Sequence, residues 1–178
     1  MGGGEVVRYF SRHGGQNVSK AVLISSITPF LLRTTDNPEG RNPEDNEERT
    51  NTIKNDRINF IDNFGKTFFG VSLLNKPLST PLLEYYRMLC SVASPHATLE
   101  CAKSFSTTDF RDEMSSINVP TLIIHGDEDD IVPIEISSEK ASELIPNNKF
   151  LVYEETPHGL FYTERDRLNK DLIEFLNS

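Results

Sequence analysis

No stretch of this sequence is long and apolar enough to cross a bilayer as a helix. The longest mostly apolar run, residues 22–32, is broken by Ser25, Ser26, Thr28 and Pro29, and a crossing helix needs roughly 20 apolar residues. The N-terminus has no basic start followed by an apolar stretch, so no secretory signal is expected. Myristoylation of Gly2 is not expected either, because position 6 is Val6 where that signal has Ser or Thr. Positive charge is scarce: 18 Lys and Arg stand against 27 Asp and Glu, a net charge of -9. That balance repels phosphate backbones and anionic headgroups, so neither nucleic acid nor a membrane surface is an expected partner. Cysteine is nearly absent. Cys90 and Cys101 fall in helical territory and read as free thiols of a reducing, cytoplasmic compartment rather than as a disulfide. No Cys/His cluster has metal-ligand spacing, and there is no internal repeat or low-complexity segment.

What is present fits one folded unit. The 178 residues are 37% hydrophobic and 25% charged, enough to bury a core and too apolar for disorder. Three short runs rich in Val, Ile and Leu, at 18–25, 119–125 and 149–154, have the composition of buried parallel strands. Helical patterns accompany them at 5–12, 137–145 and 164–176, the last with Leu168, Leu172, Ile173 and Leu176 as its apolar stripe. Strand alternating with helix predicts an α/β fold with a parallel sheet and right-handed crossovers.

Between the first two strands lies a long insertion, 28–117. Its opening, 34–51, is rich in Asn, Glu, Pro and Arg and reads as solvated loop, with Glu44 to Glu48 an exposed face or helix start. Helical patterns follow at 53–64, 81–92 and 97–105. Such an insertion predicts a helical cap over a ligand crevice. Its aromatics, among them Phe60, Phe64, Phe68, Phe69, Tyr85 and Tyr86, read mainly as packing of the cap onto the sheet. The expected division is therefore 1–27 as core helix and strand, 28–117 as cap, and 118–178 as C-terminal core.

Ligands of open α/β sheets sit beyond the carboxyl ends of the strands. The second strand ends in His125 and opens into Gly126-Asp127-Glu128-Asp129-Asp130-Ile131-Val132-Pro133; the third leads to Thr156-Pro157-His158-Gly159. A carboxylate after one strand and a histidine after the next become neighbours if the strands pair. The acid would then fix the imidazole tautomer and leave the other nitrogen as a general base. On chemistry alone the pairing stays open, because Gly126 to Asp129 reads equally well as a turn whose carboxylates bond local amides. Asp127 and Asp129 also form an Asp-x-Asp pair at a strand end, the seed of a magnesium-dependent phosphatase, but the lysine and further carboxylates such sites need are not supplied by residues 156–159.

The acid loop resembles that of α/β-hydrolases, in which the acid stands three residues after the glycine, here Asp129. Thr156-Pro157-His158-Gly159-Leu160 resembles a late signature of one subgroup. Met1-Gly2-Gly3-Gly4-Glu5-Val6-Val7-Arg8-Tyr9 looks like the tail of a Gly-Phe-Ser-Met-Gly-Gly-Gly-Glu nucleophile elbow. Val22 to Ser26, Thr34 to Gly40, Glu100 to Phe105 and Thr108 to Phe110 extend the likeness over nearly the whole chain, to the non-haem haloperoxidase, perhydrolase and aryl esterase branch. The resemblance implies the C-terminal half of an α/β-hydrolase fold, no metal or haem cofactor, and a small ester as substrate. It makes Asp129 and His158 the catalytic acid and base, puts Met1 at an oxyanion-hole position, and suggests Ile27, Phe30, Ile131 and Leu160 for the acyl pocket.

One departure follows from the same resemblance. The serine should stand immediately before Met1, and no serine here lies in Gly-x-Ser-x-Gly: the frame around Ser72 lacks the second glycine and that around Ser11 the first. The chain reads as a truncated triad, inactive alone or dependent on a partner segment. Its first strand would have an open apolar edge prone to self-association. Of the other histidines, His125 reads as a packed or rim residue and His13 and His96 as surface. Asp127 reads as capping local amides, Asp109 and Asp112 as caps or loop residues.

Overall fold

A computed structural model describes all 178 residues. Three parallel strands, β1 (Ala21–Ile24), β2 (Thr121–Gly126) and β3 (Asn148–Tyr153), form one sheet in the order β1-β2-β3. Leu23 pairs with Ile123, and Ile123 with Phe150. The central strand β2 is buried at every position, as expected when both faces of a parallel sheet are covered.

Side chains alternate across that sheet. Leu23 and Ile123 point to one face, where they meet Val7 and Phe10 of α1 (Gly2–His13), Met114, Ile117, and Ala141 of α6 (Ser138–Leu144). Leu122 and Ile124 point to the other face. There they meet Tyr153, Leu160 of the short α7 (Leu160–Thr163), and Leu168 and Phe175 of α8 (Arg165–Asn177). The stripe of α8 is thus 168, 172 and 175. Ile173 and Leu176, expected on it, are 61% and 58% exposed, because a step of seven, not five or eight, returns to the sheet-facing side at Phe175.

Between β1 and β2 the chain forms α2 (Pro43–Asn55), α3 (Arg57–Phe68), α4 (Thr80–Ser91) and α5 (Pro95–Thr107). Residues 43–51, within the stretch expected as loop, are helical, which agrees with Glu44 to Glu48 as a helix start. Pro43 sits in the first turn, where its missing N–H costs nothing, and Glu44 and Asp45 complement the helix dipole there. Ile53 is the one buried residue of α2, so the helix carries almost no apolar period. The starts of α3, α4 and α5 are capped by Asp56, Ser79 and Ser94, each side chain accepting from an amide three residues on. Phe60, Phe64 and Phe68 stack along α3, and Phe68 and Phe69 meet Phe161 beyond β3. Cys90 and Cys101 are both free and exposed. No helix is long and apolar enough to cross a membrane.

Candidate active site

The loops that leave β2 and β3 are stitched together. Asp127 N–H donates to the carbonyl of Tyr153 (3.1 Å) and Glu128 N–H to that of Thr156 (3.2 Å). Gly126 makes the approach possible: a Cβ there would lie 2.0 Å from the Thr156 carbonyl oxygen.

This crossing turns Asp129 inward, where it is 4% exposed. Oδ1 accepts from the amides of Ile131 (2.9 Å) and Val132 (2.7 Å). Oδ2 accepts from His158 Nδ1 at 2.6 Å and from His125 Nε2 at 3.0 Å. Burial pushes this carboxyl upward, but the histidine and amide donors outweigh it and hold it down at about 2. It is an ionised acceptor at neutral pH.

His158 is placed from three sides. Its Nδ1 meets Asp129, its carbonyl accepts from Ser25 Oγ (3.3 Å), and the next amide, Gly159 N–H, donates to the carbonyl of Phe68 (2.7 Å). Gly159 has to be small, since a Cβ there would lie 2.5 Å from the Phe69 ring and 2.9 Å from the Phe68 carbonyl oxygen. The Phe68 ring stands edge-on to the imidazole, with centroids 4.8 Å apart. With its Nδ1–H donated to Asp129, Nε2 carries the lone pair. The side chain retains 17% exposure, so a proton can reach it. The arrangement is that of a general base oriented by a buried acid.

His125 is more than a packed residue. It has no exposure, and its Nε2 also lies 2.8 Å from the Val132 carbonyl while Nδ1 lies 2.6 Å from Ser138 Oγ. Its place four residues before Asp129 was the available signal, but composition does not show that the turn folds back over its own strand end. Asp129, not Asp127, bonds the local amides; Asp127 is exposed. With both Asp129 oxygens committed to these donors, the two carboxylates do not form a metal-binding pair. His13 and His96 are exposed. Asp109 bonds Arg111 through both oxygens.

The remaining candidates scatter. Met1 and Ile27 line a cavity of about 460 Å³ with Tyr9, Phe105 and Phe110, and its walls include neither Asp129 nor His158. Ile131 packs beside Ile27 against Leu31, Val132 and Ile136. Phe30 is 6% exposed and lies beneath the Arg111 guanidinium, 4.9 Å from ring centroid to Cζ. Leu160 is not a pocket residue: it is fully buried in the core against Leu122, Ile124 and Tyr153. Two residues beyond His158 the chain has entered α7, whose first side chain faces the sheet.

The profile of the alpha/beta hydrolase fold family matches residues 1–165. The chain is 38% identical over 178 residues to a non-heme haloperoxidase of Rhodococcus erythropolis, covering 99% of this chain and 65% of that protein. It is 35% identical to a bifunctional esterase/perhydrolase of Acinetobacter calcoaceticus, covering 99% and 64%. The crystal structure of a bromoperoxidase from Bacillus anthracis superposes with a TM-score of 0.95 at 39% identity, covering all of this chain and 65% of that one. The chain thus spans just under two thirds of the length of these relatives.

Proposed function

The chain belongs to the α/β-hydrolase fold family, in the branch of non-heme haloperoxidases and esterases, and from that premise we propose that it supplies the acid and base of a serine esterase. The observation that carries this reading is the 2.6 Å contact between His158 Nδ1 and Asp129 Oδ2 at adjacent strand ends.

In the proposed reaction a serine oxygen attacks the carbonyl carbon of a small ester, and His158 Nε2 takes the serine proton. The C–O bond to the alcohol breaks, and the imidazolium returns that proton to the departing oxygen. Water, or hydrogen peroxide in a perhydrolase, then attacks the acyl-enzyme; its proton passes to His158 and on to the released serine, giving the acid or peracid. Asp129 stays ionised throughout and stabilises the imidazolium. The 178 residues hold no serine in Gly-x-Ser-x-Gly, so the nucleophile in this proposal comes from a segment outside them, and the residues alone do not turn over esters.

The test is ester hydrolysis by a longer chain that includes a nucleophile elbow, with Asp129→Asn and His158→Gln. Each variant is expected to lower kcat by about 10³–10⁴-fold. Retention of more than about a tenth of the rate by either one overturns the assignment.

We also propose that the free edge of β1 associates with a second copy. The amides of Ala21 and Ser25 donate toward β2, so those of Val22 and Ile24 face outward. Beside that edge Val6, Phe10, Val18, Ala21 and Val22 line an apolar groove.

A further inference from the structure

A fully buried histidine that does not touch the reacting atoms nevertheless touches the acid. His125 has no exposure, and a buried imidazole must find partners for both nitrogens. Its Nε2 faces two acceptors, Asp129 Oδ2 at 3.0 Å and the Val132 carbonyl at 2.8 Å. A lone pair there would face two others, so Nε2 carries the proton. Nδ1 is then the bare nitrogen, accepting from Ser138 Oγ–H at 2.6 Å.

We propose that His125 is a positioning residue for the acid, its Nε2–H clamping the Asp129 carboxylate and the Val132 carbonyl together so that Oδ2 stays aimed at His158. This deepens the reading of Asp129 and His158 as acid and base and rests on it. The clamp has a geometric logic. The amides of Ile131 and Val132 hold Oδ1 from the loop, and a strand-borne donor on Oδ2 resists rotation of the carboxylate plane about the Cβ–Cγ bond from the other oxygen. His125 approaches Oδ2 from β2 while His158 approaches it from the loop after β3. Fixed from both strands, the carboxylate is set before His158 takes up a proton, the preorganisation that an orienting acid needs. An apolar side chain of equal volume at position 125 would fill the core and leave the Val132 carbonyl without this donor.

Long-range ¹H–¹⁵N spectra of the ¹⁵N-histidine-labelled 178-residue chain at neutral pH test this, since only four histidines contribute. In the unmodified chain His125 is expected as the Nε2–H tautomer and His158 as Nδ1–H. His125→Phe is expected to turn the single His158 tautomer into a mixture and to broaden its Nδ1–H resonance, whereas His125→Gln, whose amide can still donate, preserves both. Variants are compared where circular dichroism shows them folded. Should His125→Phe not fold, the tautomer of His125 in the unmodified chain decides: Nδ1–H with a bare Nε2 overturns the clamp. An unchanged His158 signal in folded His125→Phe overturns it too, as does equal loss in the Gln and Phe variants, which would reduce His125 to packing. Asp129→Asn separates this from the parent reading. If it disturbs the His158 tautomer and His125→Phe does not, only the clamp fails; if it leaves that tautomer unchanged, the acid–base pair itself fails.

Discussion

His158 Nδ1 lies 2.6 Å from Asp129 Oδ2 although 29 residues separate them in sequence. β2 and β3 pair in parallel, so their carboxyl ends lie side by side, and each loop needs only a few residues to bring its side chain to the same point. The contact is therefore a product of sheet register, and what perturbs the two loops perturbs the pair.

Asp129 links this site to stability. Its carboxyl is lowered from 3.8 to about 2 in the folded chain, so the unfolded chain binds the proton more tightly. The contribution is fully present above the unfolded value near 4 and is lost as pH falls through about 2. Its size is about 2 kcal/mol. Urea denaturation between pH 6 and pH 2 is expected to show a steeper loss of stability in the unmodified chain than in Asp129→Asn. Parallel curves contradict the lowered value.

Gly126 controls the loop crossing, and Gly159 the approach of the His158 loop to the end of α3. Gly126→Ala places a Cβ 2.0 Å from the backbone oxygen of Thr156, which cannot move without parting the loops. It is expected to destabilise by about 3 kcal/mol. Gly159→Ala meets chiefly the Phe69 ring at 2.5 Å, which can shift in part, and about 1–2 kcal/mol is expected. Denaturant midpoints check the order; a Gly126→Ala chain as stable as the parent refutes the crossing.

Much of this was legible in the sequence, for reasons that also explain what was not. β2 declares itself because Leu122 to Ile124 is an apolar, β-branched-rich run followed within two residues by a turn, and Asp129 and His158 follow two such runs. α2 is hidden because burying Ile53 alone leaves no period to detect. On α8, Leu168 and Leu172 face the sheet as their spacing predicts, while Ile173 and Leu176 do not; they are as apolar as the residues that do, so composition does not separate them. Leu160 is suggested for the pocket by its nearness in sequence to His158, yet its side chain lies in the core. Side-chain direction after a turn depends on the element that begins next, which nearness does not reveal. His125 could not be read as a partner of Asp129 from composition, since a polar residue inside an apolar strand declares its bond only once the following loop has folded back.

The β1 edge gives a prediction about assembly. Sedimentation of the 178-residue chain is expected to show concentration-dependent dimers. Val22→Pro, which removes an outward amide while leaving those of Ala21 and Ser25 on β2, is expected to return it to monomer. A stable monomer at high concentration contradicts the open edge as an association site.

Whether Asp129 and His158 serve a serine nucleophile is read from turnover of p-nitrophenyl acetate by the 178-residue chain beside one extended upstream through a Gly-x-Ser-x-Gly elbow. Hydrolysis is expected from the extended chain only, lost by about 10³–10⁴-fold in its Asp129→Asn form. Equal turnover by the 178 residues alone, undiminished by Asp129→Asn, would contradict that role.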